Sequence, residues 1–281
     1  MKKIPFFKMS GSGNDFILID HRKPLVDKAQ IQEFVRKVCR RAISVGADGL
    51  ILIENPDEED ARNGVHFKWH YYNADGGEAE MCGNGSRCAA RFAYLKGIAP
   101  KTMAFRTLAG IIRAEMTGER QVKVQMSQPQ DLRLNFPLDI EGETRKVHFI
   151  NSGVPHTVYF VDQVDQADVF NLGRKTRYHQ AFQPAGTNAN FAQVVHPHSL
   201  RLRTYERGVE NETLACGTGA VAAAIIASEL GMTAPPVEVQ VRSGEILKIH
   251  FERAGDGIAQ VFMEGGVRIV YEGEMWEEAW E

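Results

Sequence analysis

The chain has 281 residues, of which 43% are hydrophobic and 25% charged, and this length and composition predict a globular protein of two domains. A net charge of −3 gives no basic surface for a nucleic acid, which argues against polyanion binding. The longest apolar run, AVAAAIIA at 220–227, is far shorter than a membrane span, and MKKIPFFKM lacks the apolar region of a signal peptide. We therefore expect a soluble, cytoplasmic protein with neither nucleic acid nor membrane as a partner.

In chain order, the first half is predicted to place strands around one helix. GNDFILID at 13–20 is a glycine turn that leads into a strand, and AGIIRAEM at 109–116 alternates like a short strand. Between them, SRCAARFAYLKG at 86–97 is rich in helix formers and ends at a glycine suited to a helix C-terminus. Strand patterning gives way to Pro and Gln in MSQPQDL at 126–132, so we place the domain boundary there.

The second half repeats this order of predicted elements. GVPHTVYFVD at 153–162 is again a glycine turn and a strand, and SGEILKIH at 243–250 alternates like a strand. AVAAAIIASELG at 220–231 is apolar on every side, which for a helix predicts complete burial. The last residues, YEGEMWEEAW, are expected to return to the first half. The predicted domains are 1–126 with 272–281, which carries Cys82, and 127–271, which carries Cys216.

An internal repeat relates the two halves. A constant offset places Tyr71 over Tyr205 and also brings later pairs into register, namely Glu78 with Glu212, Cys82 with Cys216, Gly97 with Gly231 and Gly110 with Gly244. Chance similarity of short glycine-containing segments is the alternative, but ordered matches along the chain favour duplication. The fold class we predict is α+β, with two pseudo-symmetric domains, each a curved mixed β-sheet or barrel around a central helix.

Cysteine usage directs attention to the repeated motif. The chain has four cysteines, few for its length, which fits a reducing compartment, and their spacing lacks the CxxC of a zinc knuckle, so we predict no metal site. Cys39 and Cys88 are assigned to packing. Cys82 and Cys216 each precede a glycine at a predicted helix start, where unpaired N–H groups bind anions and lower the pKa of a thiol from about 8.5 toward neutrality.

Two such half-sites suit inversion at a carbon atom. If they face each other across a cleft, they grip one carboxylate while one thiolate removes an α-hydrogen and the other thiol delivers one to the opposite face. A symmetric acid and base explain the duplicated motif better than a single nucleophile does. The alternative is that Cys82 and Cys216 are core cysteines with glycine neighbours.

Together, the motifs MSGSGNDF, YYNADGGEAEMCGNGSRC, GVPH, TNANF and TYERGVENETLACGTGA resemble those of the diaminopimelate epimerase family over nearly the whole chain. The resemblance implies an isomerase that interconverts LL- and meso-diaminopimelate for lysine and peptidoglycan synthesis. It also implies that the enzyme uses no pyridoxal phosphate or other cofactor and works as a homodimer. Cys82 and Cys216 match the two catalytic cysteines of the family.

The resemblance further implies which residues bind the substrate. Positions that match the amides holding the α-carboxylate are Gly83 with Asn84 and Gly217 with Thr218. Other substrate-binding positions match Asn14, Asn73, Asn188, Glu206 and Arg207, and positions that tune the cysteine pKa values match His156 and Glu206. The chemistry agrees, since an arginine pairs with a carboxylate, a glutamate with an ammonium group, and asparagines bond to either.

Each of these residues has a structural alternative, and two positions depart from the family pattern. Asn14 and Asn73 would otherwise cap turns, His156 would be a loop residue, and Glu206 with Arg207 a solvated charge pair. The departures are Val154, where some members have asparagine, and Gly49, where some have glutamine. Val154 makes no polar side-chain contact to the distal end of the substrate, and Gly49 is not counted as binding.

Two other functions stay open at this point. The first is a racemase or epimerase of the same fold for another amino acid such as proline, although Glu206 and Arg207 suit a second charged end that proline lacks. The second is a thiol redox protein or carboxylate-binding module without enzymatic activity.

Overall fold

The computed structural model describes residues 2–255 and 257–281, which form two compact units. Unit 1 runs to Val124 and also includes Gly266–Glu281, and unit 2 is Gln125–Gly265. None of the helices in the described ranges has the length and apolarity that crossing a bilayer requires.

Strands make up most of both units. In chain order, unit 1 contains β1 (Lys3–Gly11), β2 (Asn14–Asp20), α1 (Ile31–Val38), β3 (Gly49–Glu54), α2 (Glu58–Arg62), β4 (Phe67–Asn73), β5 (Glu78–Ala79), α3 (Gly83–Leu95), β6 (Thr102–Thr107), β7 (Gly110–Met116) and β8 (Gln121–Gln125). Unit 2 contains β9 (Gln130–Ile140), β10 (Glu143–Asn151), β11 (Pro155–Phe160), α4 (Val169–Tyr178), β12 (Asn188–His196), β13 (Ser199–Glu206), β14 (Asn211–Glu212), α5 (Gly217–Glu229), β15 (Val237–Gln240), β16 (Ile246–Ala254) and β17 (Gly257–Gly266). The chain then returns to unit 1 as β18 (Arg268–Trp276).

Strand order is the same in the two units. Unit 1 follows β18-β1-β2-β3-β4-β6-β7-β8, with β2–β3 and β4–β6 parallel and the other pairs antiparallel. Unit 2 follows β9-β10-β11-β12-β13-β15-β16-β17, with parallel pairs at the same two places. A short strand, β5 or β14, forms a hairpin at the equivalent place in each. The predicted α+β class with two repeated, pseudo-symmetric halves is confirmed.

One helix packs inside each unit. Helix α3 lies against β1, β2, β3 and β7, and α5 lies against β10–β13, β15 and β16. Every residue from Ala220 to Ala227 is fully buried, as the absence of a polar face on α5 predicts. Both helices stop as expected at a glycine with a left-handed backbone, Gly97 (φ +65°) after α3 and Gly231 (φ +71°) after α5.

A second helix covers the outer face of each sheet. In unit 1 the apolar stripe of α1 packs on a cluster that includes Leu50, Leu52 and Tyr72. In unit 2, α4 packs on a cluster that includes Phe191 and Tyr205. Tyr72 pairs with Glu78 and Tyr205 with Glu212, so Tyr72 and not Tyr71 is the counterpart of Tyr205. The uniform offset is therefore wrong by one residue here, because six residues separate Tyr205 from Glu212 whereas five separate Tyr72 from Glu78.

Candidate functional site

Cys216 is the N-cap residue of α5, and polar groups surround its thiol. Its sulfur lies 3.6 Å from Thr218 Oγ1. The thiol also hydrogen-bonds to the carboxyl of Glu206, which accepts a 2.9 Å bond from the Thr213 hydroxyl. Burial raises the pKa of the Glu206 carboxyl, and these two hydrogen bonds lower it only in part. A proton acceptor with a raised pKa therefore lies beside the Cys216 thiol.

His156 is buried in β11 and is connected to the same thiol through Thr218. Its Nδ1 lies 3.0 Å from Asn190 Nδ2, and its Nε2 lies 2.9 Å from Thr218 Oγ1. The orientation of the Asn190 amide is fixed, because Nδ2 donates to the Thr157 carbonyl and Oδ1 accepts the Thr204 hydroxyl. Nδ1 of His156 is therefore an acceptor, and Nε2 carries the hydrogen.

The hydrogen bonds of His156 determine what Thr218 can do. Burial lowers the pKa of His156 to about 3, so the ring is neutral at ordinary pH. The neutral ring donates Nε2–H to the Thr218 hydroxyl oxygen. The hydroxyl keeps its own hydrogen as a donor, and Cys216 Sγ lies within its reach.

Cys82 is the N-cap residue of α3 in unit 1, and its sulfur accepts the backbone N–H of Gly85 at 3.4 Å. Little room is left at this third helical position, because the sheet passes close beneath it. A Cβ on Gly85 would lie 3.2 Å from Ile51 and 3.3 Å from Trp69. At the equivalent position of α5, a Cβ on Gly219 would lie 2.5 Å from Asn190 Oδ1. The CGxG motif thus reflects close packing in both units.

Asn84 and Asn14 form a hydrogen-bonded pair near Cys82. Asn84 Nδ2 donates to Asn14 Oδ1 at 2.6 Å, and Asn14 Nδ2 donates to Asp48 Oδ2 at 3.0 Å. Asn84 Oδ1 accepts Arg87 Nη2 at 3.0 Å. Asn14 therefore lies in β2 and bonds to α3, rather than capping a turn.

The other predicted binding residues lie at strand ends. In unit 1, Asn73 ends β4 and accepts the Tyr71 hydroxyl at 2.7 Å. In unit 2, Asn188 Nδ2 donates to the Pro155 carbonyl at 3.1 Å, and its Oδ1 accepts the backbone N–H of Arg207 at 2.7 Å. The Arg207 guanidinium donates to the Ala185 carbonyl at 2.9 Å.

Each unit thus gathers part of the predicted set. Unit 1 holds Cys82 with Asn14, Asn73, Gly83 and Asn84, and unit 2 holds Cys216 with His156, Asn188, Glu206, Arg207, Gly217 and Thr218.

The two positions that depart from the family pattern have different surroundings. A Cβ on Gly49 would lie 2.5 Å from the Tyr72 carbonyl oxygen and 2.6 Å from the Tyr71 ring, so this position has no room for a side chain. Val154 lies in the turn between β10 and β11, where its carbonyl accepts the Ser152 N–H at 3.2 Å.

Sequence reasoning missed several residues that support the site. Asn190, Asp48 and Arg87 were not singled out, although two of them carry a signal. Asn190 follows Asn188 by two residues in a strand, which places both side chains on one face. Arg87 is a charged residue one helical turn after Asn84, in a helix of mostly small and apolar residues.

Cys39 belongs to the core cluster that packs against α1, and Cys88 lies within α3. Both side chains are buried, and burial raises the pKa of the Cys39 thiol to about 12. Among the residues that the structure describes, no cluster of three or more His, Cys, Asp or Glu side chains could hold a metal ion.

Comparison with known proteins places the chain in a family. The family model for diaminopimelate epimerase matches residues 6–132 and 148–270. A diaminopimelate epimerase of Aquifex aeolicus (strain VF5) is 48% identical, over 98% of this chain and 99% of its own. One of Hydrogenobaculum sp. (strain Y04AAS1) is 51% identical, over 95% of this chain and 96% of its own.

A solved structure shows the same fold at much lower sequence identity. A hydroxyproline epimerase of Agrobacterium vitis superposes with a TM-score of 0.70 at 12% identity, over 98% of this chain and 93% of its own. Likeness at this identity concerns the fold alone.

Proposed function

Since the chain belongs to the diaminopimelate epimerase family, we propose that it interconverts LL- and meso-diaminopimelate, as an isomerase of lysine and peptidoglycan precursor synthesis. Near-full-length agreement with relatives of that name supports the substrate. The hydrogen-bonded chain from Asn190 through His156 and Thr218 to Cys216 supports the chemistry, because it prepares a thiol for proton transfer.

The helix starts supply the site for the α-carboxylate. Backbone N–H groups of the first turn of a helix lack partners within the helix and carry the positive end of its dipole. Gly83 and Asn84 begin α3, and Gly217 and Thr218 begin α5. We assign the α-carboxylate to these amides.

Proton transfer is assigned to the two thiols. One cysteine, as thiolate, takes the α-hydrogen as a proton, and the thiol of the other gives its proton to the opposite face of the resulting carbanion. The first cysteine ends as a thiol and the second as a thiolate, so charge and protons balance and no cofactor is needed. For Cys216, Glu206 is the group that accepts the thiol proton, and the Thr218 hydroxyl stabilises the thiolate.

The remaining residues are assigned to the charged groups of the substrate. Glu206 suits an ammonium group, Arg207 suits the distal carboxylate, and the amides of Asn14, Asn73 and Asn188 complete the contacts. A second charged end is what distinguishes diaminopimelate from proline, and Arg207 is the residue that would recognise it.

Turnover without added cofactor tests this proposal. Purified protein is incubated in deuterated water with LL-diaminopimelate and, separately, with L-proline and L-glutamate. We expect meso-diaminopimelate that carries deuterium at the inverted carbon, while unreacted substrate stays largely protonated in the initial phase. Faster turnover of proline would support the racemase alternative, and return of the original hydrogen would contradict the two-base mechanism.

We also propose that the protein is a cytoplasmic homodimer. Large hydrophobic side chains are exposed on α3 and β18 of unit 1, namely Tyr94, Leu95, Val270, Tyr271 and Trp276. Exposed apolar groups of this kind are commonly covered by another protein surface. Sedimentation equilibrium at micromolar concentration gives the mass directly, and a mass of one chain would contradict the dimer.

A further inference from the structure

We propose that Asp48 and Arg87 are positioning residues that fix the orientation of the Asn14 and Asn84 side-chain amides in unit 1. Both asparagines then turn an N–H group, rather than a carbonyl oxygen, toward an anionic group of the ligand. This inference rests on the proposed function, because it concerns how the Cys82 half-site recognises a carboxylate.

The chain of hydrogen bonds runs in one direction. Arg87 Nη2 donates to Asn84 Oδ1 at 3.0 Å, Asn84 Nδ2 donates to Asn14 Oδ1 at 2.6 Å, and Asn14 Nδ2 donates to Asp48 Oδ2 at 3.0 Å. A cation therefore begins the chain and an anion ends it. Rotating either amide by 180° would set oxygen against oxygen or N–H against N–H, so the charged ends determine the orientation of both amides.

Both ends of the chain are held in place. Arg87 is fully buried and also donates to the Ser12 hydroxyl at 2.7 Å. At the other end, Arg41 Nη2 donates to Asp48 Oδ1 at 2.7 Å, which leaves Oδ2 for Asn14.

Asp15 strengthens the anionic end of the chain. Its backbone N–H donates to Asp48 Oδ2, and its carboxylate pairs with Arg41 at 2.6 Å and with Lys8 at 2.8 Å. Burial opposes its ionisation, but the hydrogen bonds from Arg41 and Lys8 lower the pKa of Asp15 to about 2. The Asp15 carboxylate therefore stays ionised down to low pH and continues to balance the charges of Arg41 and Lys8.

The chemistry offered to a ligand follows from this direction. Each amide uses its oxygen and one N–H within the chain, and its second N–H is the group that can meet a ligand. Two N–H donors favour a carboxylate and disfavour an ammonium group. Unit 2 has no counterpart of this device among its described residues at the same helical position, because Thr218 gives its hydrogen toward Cys216 instead.

Charge removal at Asp48 tests the inference by steady-state kinetics. In Asp48→Asn the last group in the chain of hydrogen bonds is neutral and can donate as well as accept, so it no longer determines the orientation of the Asn14 amide. We expect KM for LL-diaminopimelate to rise about tenfold or more, with kcat within about threefold of wild type. Asp48→Glu, which keeps the carboxylate, should restore most of the affinity. The matched control is Asp20→Asn, which removes a carboxylate paired with Arg22 at 2.8 Å elsewhere in unit 1 and should change neither constant.

A double-mutant cycle distinguishes positioning from a general structural effect. If Asp48 acts through Asn14, the effect of Asp48→Asn on KM should disappear in an Asn14→Ala background. Additive effects, or a loss of kcat alone, would overturn the inference. Should Asp48→Asn not fold, Asp48→Ser serves in the same comparisons.

Side-chain amide resonances provide a readout that needs no turnover. NMR signals of the Asn14 and Asn84 amides are assigned from the corresponding alanine variants. Asp48→Asn should shift the Asn84 amide signal, although the asparagine that hydrogen-bonds to Asp48 is Asn14, and Asp20→Asn should not. A wild-type protein that shows this coupling but no epimerase activity would overturn the proposed function and leave the amide chain standing. An unchanged Asn84 signal in an active enzyme would overturn the inference about the amides and leave the proposed function standing.

Discussion

Beneath the N-terminus of α3 in unit 1 the sheet is apolar, whereas beneath the N-terminus of α5 in unit 2 it is polar, although strand order and helix position are the same. In unit 1, Ile51 pairs with Tyr71 across β3 and β4. At the same place in unit 2, Asn190 pairs with Thr204 across β12 and β13. The backbone thus supplies what both cysteines share, a helix N-terminus. The side chains of the sheet supply what differs, a hydrogen-bonded chain to Cys216.

The difference extends to the neighbouring strand. Phe16 of β2 occupies the place that His156 takes in β11, and its ring packs edge-to-face on Tyr71. A neutral histidine oriented by Asn190 is therefore replaced by a packed aromatic side chain. After duplication, one unit kept or gained a polar network while the other kept or gained a hydrophobic one. The four predictions below test whether this difference carries function.

Replacing either N-cap cysteine should have the largest effect. We expect Cys82→Ala and Cys216→Ala each to lower epimerisation at least about 10³-fold, because each direction of the reaction needs both an acid and a base. Cys39→Ala and Cys88→Ala are matched controls, with rates within about twofold of wild type apart from any packing cost. Initial rates by NMR in deuterated water, with folding checked by circular dichroism, measure this. A folded Cys216→Ala enzyme with near-normal turnover would refute the two-thiol mechanism.

Thr218→Val tests the polar chain of unit 2 alone. Valine keeps the shape and the backbone N–H but removes the hydroxyl between His156 and Cys216. A hydrogen bond to a charged group contributes about 1.5–3 kcal/mol, so we expect kcat to fall about tenfold to a hundredfold. The pH at which activity rises should also move upward, since the thiolate loses a donor. The matched control is Thr233→Val, because the buried Thr233 hydroxyl has no hydrogen-bond partner in the described part of the chain. An unchanged pH profile in Thr218→Val would show that the hydrogen-bonded chain through Thr218 does not act on the Cys216 thiol.

Acid should weaken the fold through His156. The folded pKa of about 3 lies below the ordinary value of 6.5, so the unfolded state takes up the proton first. The stability from the neutral ring is complete above pH 6.5 and is lost as the pH falls toward 3. Between pH 7 and pH 5, the free energy of unfolding should fall by about 2 kcal/mol more in wild type than in His156→Gln. Urea unfolding at both pH values measures this difference. An equal change in the free energy of unfolding between pH 7 and pH 5 for the two proteins would disprove a buried neutral histidine.

The apolar sheet of unit 1 should contribute packing and little else. Ile51→Val removes a methyl group beneath Gly85 and should cost about 1 kcal/mol of stability while leaving kcat and KM within about twofold. Ile53→Val, on a fully buried residue of the same strand, is the matched control and should behave alike. If only Ile51→Val loses activity, the apolar part of the sheet near the start of α3 has a functional role.

The repeat made much of the fold predictable from sequence. The glycines that end α3 and α5 and the apolar run of α5 are local signals, and the structure confirms them. The exact correspondence of strands was not predictable, because register depends on turn length. One extra residue between Tyr205 and Glu212 was enough to make Tyr72, rather than Tyr71, the counterpart of Tyr205.

The supporting residues of the site show a similar limit. His156 was proposed from its motif, but its partner Asn190 lies on another strand, and Thr204 lies on a third. Alternation tells which face of a strand a residue occupies, but not which residue of the neighbouring strand it meets. Asp48 reaches Asn14 in the same way, across 34 positions of sequence. Contacts of this kind can be identified only from the three-dimensional structure.

Strand β18 has a consequence for the order in which the protein can be completed during synthesis. It pairs with β1 from Lys3–Trp276 to Ser10–Arg268, and the last residues dock nearby, where Trp280 packs on Phe34. Unit 2 is continuous in sequence, so its strands all leave the ribosome earlier. Unit 1 is begun first but is completed only after β18 emerges. Until then β1 exposes an unpaired edge, so a chain that stops short of β18 should associate with other chains at this edge.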